Sequence, residues 1–443
     1  MDDRYRKNSL SLPGAIGMGT GVMIGAGIFA LTGQVAELAG PFFPLAFLAA
    51  AIVSGFSAYS YVKMSNAWPS AGGIGMYLQK AYGRSTMTGA GALLMAISMV
   101  INESLVARTF GTYTLRLFEI PENSLLVPLL AVALIVCAFL VNISGNRVIG
   151  PVSKVSAVLK VLGILAFAAA ALWASGLSLA PLVEAGKAAP TTVTGFIAAT
   201  ALAILAYKGF TTITNSGAEL KDPHRNVGRA IVISLAICLV VYLLVSLAVG
   251  LNLSVNAIVA AKNYSLAEAA RPALGAYGEW FTIAIAILAT ASGLIASVFA
   301  VSRMLAMLSD MRIIPHRHFG MPGTVQTHTL VYTVVLAALL AAFFDLSRIA
   351  SLGAIFYLIM DISIHWGVLR YLRREVGANA AILATAILLD LVALTAFLWM
   401  KGREDPTIIA VSAAGLLLIF GFEAIFLRRH RQFDDPSEEG DHA

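Results

Sequence analysis

The sequence predicts an all-α integral membrane protein with about twelve transmembrane helices. Its 443 residues are 59% hydrophobic and only 12% charged, with a mean hydropathy of +0.83. A soluble globule of this composition would have too little polar surface to stay dispersed. Apolar runs of roughly 20 residues, long enough to cross ~30 Å of hydrocarbon as a helix, recur along the chain. Two of these runs are interrupted by glycine.

Short polar loops separate the apolar runs, and the loops alternate in charge. The expected spans are 12–38, 42–67, 86–117, 124–143, 150–174, 192–217, 228–251, 273–305, 327–345, 347–370, 377–399 and 406–427. Basic residues such as Lys80, Arg147 and Arg370 fall in alternate loops. The positive-inside rule therefore predicts cytoplasmic termini in a cell or inner membrane. Because the net charge of +6 is spread over these loops, it does not indicate a nucleic-acid partner.

The two interrupted runs are the first and the sixth, so five helices separate equivalent points. An odd number of helices inverts the second copy of a repeat relative to the first. We therefore expect two inverted five-helix repeats at 12–174 and 192–370. Two accessory helices at 377–427 and terminal tails at 1–11 and 428–443 complete the expected organisation.

The first interruption reads G-V-M-I-G-A-G-I-F from Gly21 to Phe29. A stripe of Gly17, Gly21 and Gly25 is also the pattern of a close helix-packing face. Gly27 lies off that stripe, however, and the tripeptide from Gly25 to Gly27 concentrates backbone freedom. With the later segment Y-K-G-F, which ends at Phe210, the pattern favours two helices that unwind at membrane depth.

An unwound helix exposes backbone groups of both polarities. Free N–H groups at the start of the outer half-helix carry partial positive charge and suit a carboxylate, and free carbonyls suit a cation. A zwitterionic amino acid presents both charges. The expected carboxylate ligands are Gly25, Ala26 and Gly27. The expected amine ligands are the carbonyl groups around Met23, Ile24, Ala206 and Tyr207.

Several ordered motifs are similar to those of the amino acid-polyamine-organocation superfamily, whose members share the LeuT-like fold. They are G-x-G-x-x-I-G-A-G-I-F at 19–29, P-S-A-G-G at 69–73, E-L-K-D-P-H-R-N at 219–226 and S-R-M-L at 302–305. The chain departs from the family pattern at Gly75, Gly228 and Arg312. The resemblance implies alternating access, with the first, second, sixth and seventh helices rocking against the rest.

Lys160 lies about 15 Å into the fifth expected span, where an ammonium group is costly. The resemblance implies that this lysine binds and releases a coupling proton. The alternative is a lysine that reaches the interface or is permanently paired with a carboxylate.

Lys208 departs from the family, because many relatives have an apolar residue there and an acidic one where this chain has Thr211. Like charges repel strongly in a low dielectric, so an ammonium here disfavours arginine, lysine or polyamine substrates. A neutral or anionic amino acid is favoured. Glu103 is also placed to neutralise Lys208 and leave a purely structural pair.

Other polar or aromatic residues are candidates to line the cavity. These are Asn102 and Glu103 in the third span, Thr290 and Ser292 in the eighth, and Tyr207 and Phe210 at the second interruption. Helical hydroxyl groups commonly bond to their own backbone, and buried aromatic rings commonly only pack. Asp361 and His365 are spaced for a proton relay or an internal hydrogen bond.

The sequence therefore predicts a secondary active amino acid transporter, driven by protons, for neutral or anionic amino acids. The alternatives are an exchanger, including one for cationic amino acids or polyamines, and a non-transporting sensor. An enzyme is disfavoured because no nucleophile, base or metal cluster converges. We expect a lipid bilayer and a small solute as partners, with no cofactor, no metal and no obligate protein partner.

Overall fold

The computed structural model of the chain describes residues 9–70, 72–143, 146–188, 191–311 and 324–431. Within these ranges the protein is helical, with ten helices long and apolar enough to cross a membrane and two shorter apolar ones. The segment Phe29–Ala67 contains the second half of the first span and all of the second. The described residues therefore form twelve spans, which confirms the all-α multi-pass fold.

We number the spans in chain order. The first span consists of helices Leu12–Val22 and Phe29–Ala39, joined by a π-helical segment, Met23–Ile28. The sixth consists of Val193–Tyr207 and Thr211–Thr214, joined by a 3₁₀ turn, Lys208–Phe210. The second to fifth spans are Phe43–Ala67, Thr86–Arg116, Leu126–Ile143 and Asn146–Ala174. The seventh to twelfth lie in Pro223–Asn252, Ser265–Asp310, Val325–Phe343, Leu346–Gly367, Ala380–Glu404 and Pro406–Arg431.

Helix starts follow the sequence closely because polar caps and prolines mark them. The side chains of Ser11, Ser85, Thr192 and Asp345 each accept a hydrogen bond from a backbone N–H in the first turn. Pro223 begins the seventh span, where a missing N–H has no cost. These caps satisfy the free N–H groups that would otherwise be left without partners at the membrane boundary.

Three short helices outside the spans were not expected: Gly73–Tyr82, Ala180–Ala188 and Val255–Ala260. The eighth span also differs, since its helix begins at Ser265 and is broken at Gly275, where φ is +70°. The break separates an entry helix from the membrane-crossing part. Apolar periodicity does not show such a break, because only the backbone angle of one glycine marks it.

The first span lies at the centre of the bundle. Its π-helical segment packs against the third, fifth, sixth, seventh and eighth spans. The second span packs on the sixth, seventh and eleventh, whereas the twelfth touches mainly the third, tenth and eleventh. The two interruptions also contact each other, so the arrangement brings together the two segments that the sequence marks as special.

Candidate functional site

The first interruption is a wide helical turn and not an unwound stretch. Residues 23–28 keep helical hydrogen bonding with a π-helical repeat, which corrects the expectation of a break with fully exposed N–H groups. Single π-turns are rare and occur often at functional sites. The glycines permit the wide turn and also allow neighbouring helices to approach closely, so the chain stays coiled at membrane depth.

Glycine is required at both ends of the contact between the interruptions. A β-carbon at Gly27 would lie 2.7 Å from the Ala206 β-carbon and 2.7 Å from the Tyr242 hydroxyl oxygen. A β-carbon at Gly209 would lie 2.7 Å from Cγ of Met23. These distances are shorter than normal van der Waals contacts. The first and sixth spans therefore touch backbone to backbone at this level.

The backbone of the second interruption is largely satisfied by nearby hydroxyl groups. The Tyr242 hydroxyl donates to the carbonyl oxygen of Ala206 at 3.0 Å, and the Thr211 hydroxyl donates to that of Lys208 at 2.9 Å. The Ala206 carbonyl, expected as an amine ligand, thus already accepts one hydrogen bond. Tyr242, in the seventh span, was not identified from the sequence because its partner lies on another helix.

A small cavity lies where the two interruptions meet. It is lined by Val22, Met23 and Gly27 of the first span, Met99 and Asn102 of the third, Ser297 of the eighth, and Leu205, Ala206, Lys208, Gly209, Thr211 and Thr212 of the sixth. Its free volume of about 20 Å³ holds about one water molecule. Five predicted site residues line it: Met23, Asn102, Ala206, Gly27 and Lys208.

Lys160 lies at the middle of the fifth span and reaches the first. Its Nζ donates to the carbonyl oxygen of Gly21 at 2.6 Å, and its side chain is 3% exposed. A β-carbon at Gly25 would lie 3.8 Å from the same Nζ and 3.1 Å from the carbonyl oxygen of Ala289 in the eighth span. The ammonium thus lies where the first, fifth and eighth spans meet. Among the described residues it forms no ion pair with a carboxylate.

Lys208 points from the sixth span to the third. Its Nζ donates to the carbonyl oxygen of Ser98 at 2.9 Å and to the Ser98 hydroxyl at 3.0 Å, and it lies 5.9 Å from the ring centre of Tyr357. Ser98 lies one helical turn before Asn102, so the four-residue spacing of the two side chains is the sequence signal that places Ser98 on the same face of the third span. An ammonium has three N–H donors, and two of those of Lys208 are directed at this serine.

Glu103 does not pair with Lys208. Its side chain is fully buried, and its Oε1 accepts a hydrogen bond from the Ser297 hydroxyl at 3.1 Å. Its Oε2 has no hydrogen-bond partner among the described residues. Lys208 lines the cavity whereas Glu103 lies outside its lining, and among the described residues no ion pair within 4.0 Å joins the two side chains.

The other candidates lie outside the cavity lining. Tyr207 donates to the Phe47 carbonyl at 3.2 Å, and Phe210 packs on Tyr61 with ring centres 5.2 Å apart. Thr290 and Ser292 donate to carbonyls of their own helix. Ile24 and Gly25 are buried against neighbouring spans, and the side chain of Ala26 lies outside the described residues.

The bundle end that holds Leu10, Glu219 and Arg303, which we call the termini side, is closed. The Leu10 N–H donates to the Glu219 carbonyl at 3.0 Å, and the Lys221 N–H donates to the Leu10 carbonyl at 3.0 Å. The Glu219 side chain forms an ion pair with Arg303 of the eighth span. Arg312 and Pro315 of the neighbouring motif lie outside the described residues.

The opposite side is closed by a second set of polar contacts. Arg116 at the end of the third span pairs with Glu268 at 2.9 Å and Glu279 at 3.0 Å. Lys262 pairs with Glu37 at 2.7 Å, and a β-carbon at Gly33 would lie 2.3 Å from the Lys262 carbonyl oxygen. Among the described residues, polar contacts therefore tie the helices together at both ends of the bundle.

Breaking the Glu219–Arg303 pair should open the termini side. In a protein lacking Cys137 and Cys238, we expect Arg303→Ala to raise the rate at which an impermeant maleimide labels a T212C variant from that side. Loss of a partly buried ion pair worth ~1 kcal/mol corresponds to about a fivefold higher open population. The exposed Arg225, substituted by Ala, is the matched control. Equal labelling rates for the two variants would contradict the expectation that the Glu219–Arg303 ion pair keeps the termini side closed.

Two interrupted spans that meet at a small central cavity inside a helical membrane bundle are the architecture of a membrane transporter. The comparison with known families agrees. The chain belongs to the amino acid permease family, whose model matches residues 10–422, and the fold and motifs identify it as a member of the superfamily inferred from the sequence.

Named relatives match over much of the chain. It is 28% identical to the inner membrane transport protein YbaT of Escherichia coli over 95% of this chain and 97% of that one. It is 28% identical to an uncharacterised protein of Methanocaldococcus jannaschii over 80% of this chain and 81% of the relative. It is 27% identical to the branched-chain amino acid permease BcaP of Lactococcus lactis over 53% and 54% of the two chains.

Proposed function

We propose that the protein is a proton-coupled secondary transporter of amino acids that works by alternating access. The observation that carries this proposal is the central cavity where the first and sixth spans touch through Gly27 and Gly209. The family supports amino acid transport in general. Lys160, which joins the fifth span to the first beside this cavity, supports the coupling step.

In this mechanism the backbone of the first span holds the amino acid. The Met23 and Gly27 backbone lines the cavity, and the π-turn between them is the place where backbone dipoles are available for a carboxylate or an amine. The neighbouring Gly25, Ala26 and Ile24 complete the turn. Because the cavity has room for about one water molecule, the helices around it must separate when substrate enters.

Lys160 couples this movement to a proton. The charged ammonium binds the Gly21 carbonyl and holds the first span against the fifth. After deprotonation the amine is a weaker donor, so the same contact weakens and the two spans can separate. The proton thereby controls a contact at the edge of the substrate cavity.

Lys208 selects against cationic substrates. Its ammonium lines the cavity and, among the described residues, has no carboxylate within 4.0 Å, so a second positive charge beside it would be repelled. A neutral side chain avoids this cost, and an acidic one gains a partner through the third N–H. The similarity to a relative named as a branched-chain amino acid permease is consistent with neutral substrates.

The organisation proposed from the sequence fits this mechanism. The interruptions fall in the first and sixth spans, as expected for inverted repeats at 12–174 and 192–370, with 377–427 as accessory helices. The alternation of basic loops supports cytoplasmic termini. A relative described as an inner membrane protein supports the same location, so the termini side would face the cytoplasm.

The first test is transport in proteoliposomes loaded at one pH and diluted into another. Radiolabelled alanine, leucine, glutamate and arginine would be compared with and without the pH gradient. Accumulation above equilibrium that vanishes with a protonophore supports proton-coupled transport. Uptake only when unlabelled amino acid is present inside would instead identify an exchanger, and no uptake of any amino acid would contradict the proposal.

Substitution of Lys208 tests selectivity. We expect Lys208→Ala to raise the affinity for arginine and to lower that for glutamate, because the cavity loses one positive charge. The change should be about tenfold, equivalent to ~1.4 kcal/mol. Thermal stabilisation of purified protein by each amino acid is the measurement.

Lys63, half-buried near the end of the second span, is the matched control for this charge removal. Lys63→Ala should leave the preference order unchanged. If Lys208→Ala also leaves it unchanged, Lys208 has only a structural role through Ser98.

A further inference from the structure

A second cluster of ionisable groups lies outside the transport site. Asp361 and His365 are one turn apart in the tenth span, and Asp390 faces them from the eleventh. All three side chains are fully buried; Asp390 lies near the middle of its helix, and His365 lies in the last turn of Leu346–Gly367. Two carboxyl groups and an imidazole at membrane depth are costly unless their charges are compensated.

The distances within this cluster are too long for hydrogen bonds. Nε2 of His365 lies 3.5 Å from Oδ2 of Asp361 and 3.4 Å from Oδ2 of Asp390. Nε2 of His365 and both carboxylate oxygens of Asp390 have no hydrogen-bond partner among the described residues. Buried polar atoms are nearly always bonded, so three such atoms directed at one another point to a ligand between them.

The other polar atoms of the cluster are held in place. Nδ1 of His365 lies 2.8 Å from the Ser60 hydroxyl, and Asp361 accepts hydrogen bonds of 2.5 Å from the hydroxyl groups of Ser57 and Tyr61. This is the outer arrangement typical of metal sites, where a hydrogen bond at one ring nitrogen of a histidine orients the other toward the ion.

We propose that Asp361, His365 and Asp390 bind one divalent transition metal ion, with Zn²⁺ the best fit. Metal bonds of about 2.0–2.1 Å in tetrahedral geometry place neighbouring ligand atoms roughly 3.3–3.4 Å apart. The distances of 3.4 and 3.5 Å from Nε2 match that spacing. One oxygen each from Asp361 and Asp390 and the imidazole nitrogen of His365 give three donor atoms within 4.8 Å of one another, and a water molecule would complete the tetrahedron.

Charge supports a divalent ion. Two carboxylates and a neutral imidazole carry a charge of −2, which one divalent cation cancels, leaving a neutral assembly inside the membrane. A single shared proton would draw one pair of atoms to the ~2.7–2.9 Å of a charge-assisted hydrogen bond. The two distances from Nε2 of His365, 3.5 and 3.4 Å, are both longer than such a hydrogen bond and nearly equal. This pattern favours an ion over a proton.

The site would join three spans near the transport cavity. Its ligands belong to the tenth and eleventh spans, and its outer hydrogen bonds come from the second. Tyr61, which binds Asp361, also packs on Phe210 in the 3₁₀ turn of the sixth span, with ring centres 5.2 Å apart. A bound metal would therefore fix the surface against which the second interruption rests.

The test is metal content and thermal stability of the purified transporter. Protein is treated with a chelator, incubated with Zn²⁺, Mn²⁺ or Ni²⁺ alone, desalted and analysed by mass spectrometry for metals. We expect about one Zn²⁺ per chain and a higher unfolding temperature for the wild type. Asp390→Asn should lose this metal and this shift, and Ser60→Ala should weaken binding about 10- to 100-fold, as for other outer-shell substitutions.

Glu423 provides the matched control, because its carboxyl group in the twelfth span is fully buried and without a hydrogen-bond partner among the described residues. Glu423→Gln should bind metal like the wild type. A wild-type protein that takes up no metal overturns the proposal and leaves a proton network. Metal retained by Asp390→Asn equally overturns it. Ser60→Ala keeps the test decisive if the aspartate variant does not fold.

Discussion

Lys160→Ala should abolish accumulation driven by a pH gradient. A gradient of one pH unit is worth about 1.4 kcal/mol per proton, enough for tenfold accumulation at one proton per substrate. The variant lacks the amine that contacts the Gly21 carbonyl and carries the proton in our proposal, so its accumulation ratio should fall to about one. The measurement is uptake into proteoliposomes at imposed gradients of zero and one pH unit.

Exchange distinguishes loss of coupling from loss of folding. Lys160→Ala should still exchange internal for external amino acid, because its alanine leaves the cavity-lining residues of the first and sixth spans unchanged. Lys63→Ala, which removes a charge from the protein surface, should accumulate substrate like the wild type. Accumulation by Lys160→Ala in response to the gradient would show that another group carries the proton.

Gly27→Ala should weaken substrate binding. The added methyl group would lie 2.7 Å from the Ala206 β-carbon and from the Tyr242 hydroxyl, so the first and sixth spans would have to separate. Overpacking of this kind costs about 1–3 kcal/mol, and here the strain falls on the cavity wall. If that strain is borne by the substrate complex, ~1–3 kcal/mol corresponds to a roughly 5- to 150-fold loss of affinity.

Gly17 provides a control within the same span. A β-carbon there meets no atom within 4 Å, so Gly17→Ala should keep wild-type affinity and gain slightly in helix stability. Substrate-induced thermal stabilisation and size-exclusion profiles would be compared for the two variants. If Gly27→Ala binds substrate as tightly as Gly17→Ala, the close contact between the interruptions is not part of the binding site.

The number and order of the spans follow from the sequence because hydrophobic length is a local property. The same holds for helix starts at Ser11, Ser85 and Thr192, whose side chains cap their own helices. The position of a side chain in the bundle depends on how several helices pack together, and the sequence is less informative about that packing. The depth of Lys160 in the membrane is predictable from the sequence. The identity of its hydrogen-bond partner, the Gly21 carbonyl, is known only from the three-dimensional structure.

The remaining differences have similar causes. The sequence predicts an unwound segment where the structure has a π-helical turn. Glycines permit either conformation, and only the packing around Gly27 distinguishes the two. Tyr207 and Phe210 flank the second interruption in sequence, but helical rotation directs them to Phe47 and Tyr61. The contact between Asp390 and His365 is not predictable from sequence spacing, because the two residues lie on different helices.

The π-turn of the first span has a mechanical consequence. Such a turn holds one residue more than an α-helical turn and can move along a helix as hydrogen bonds are exchanged one at a time. Each residue it passes turns by about 100° and advances ~1.5 Å. The face presented by Met23–Ile28 could thus be replaced by its neighbours without exposing bare backbone to lipid. The first span can therefore rotate and advance in steps of one residue. Its glycines, which lack side chains, keep the surrounding helices from blocking that rotation.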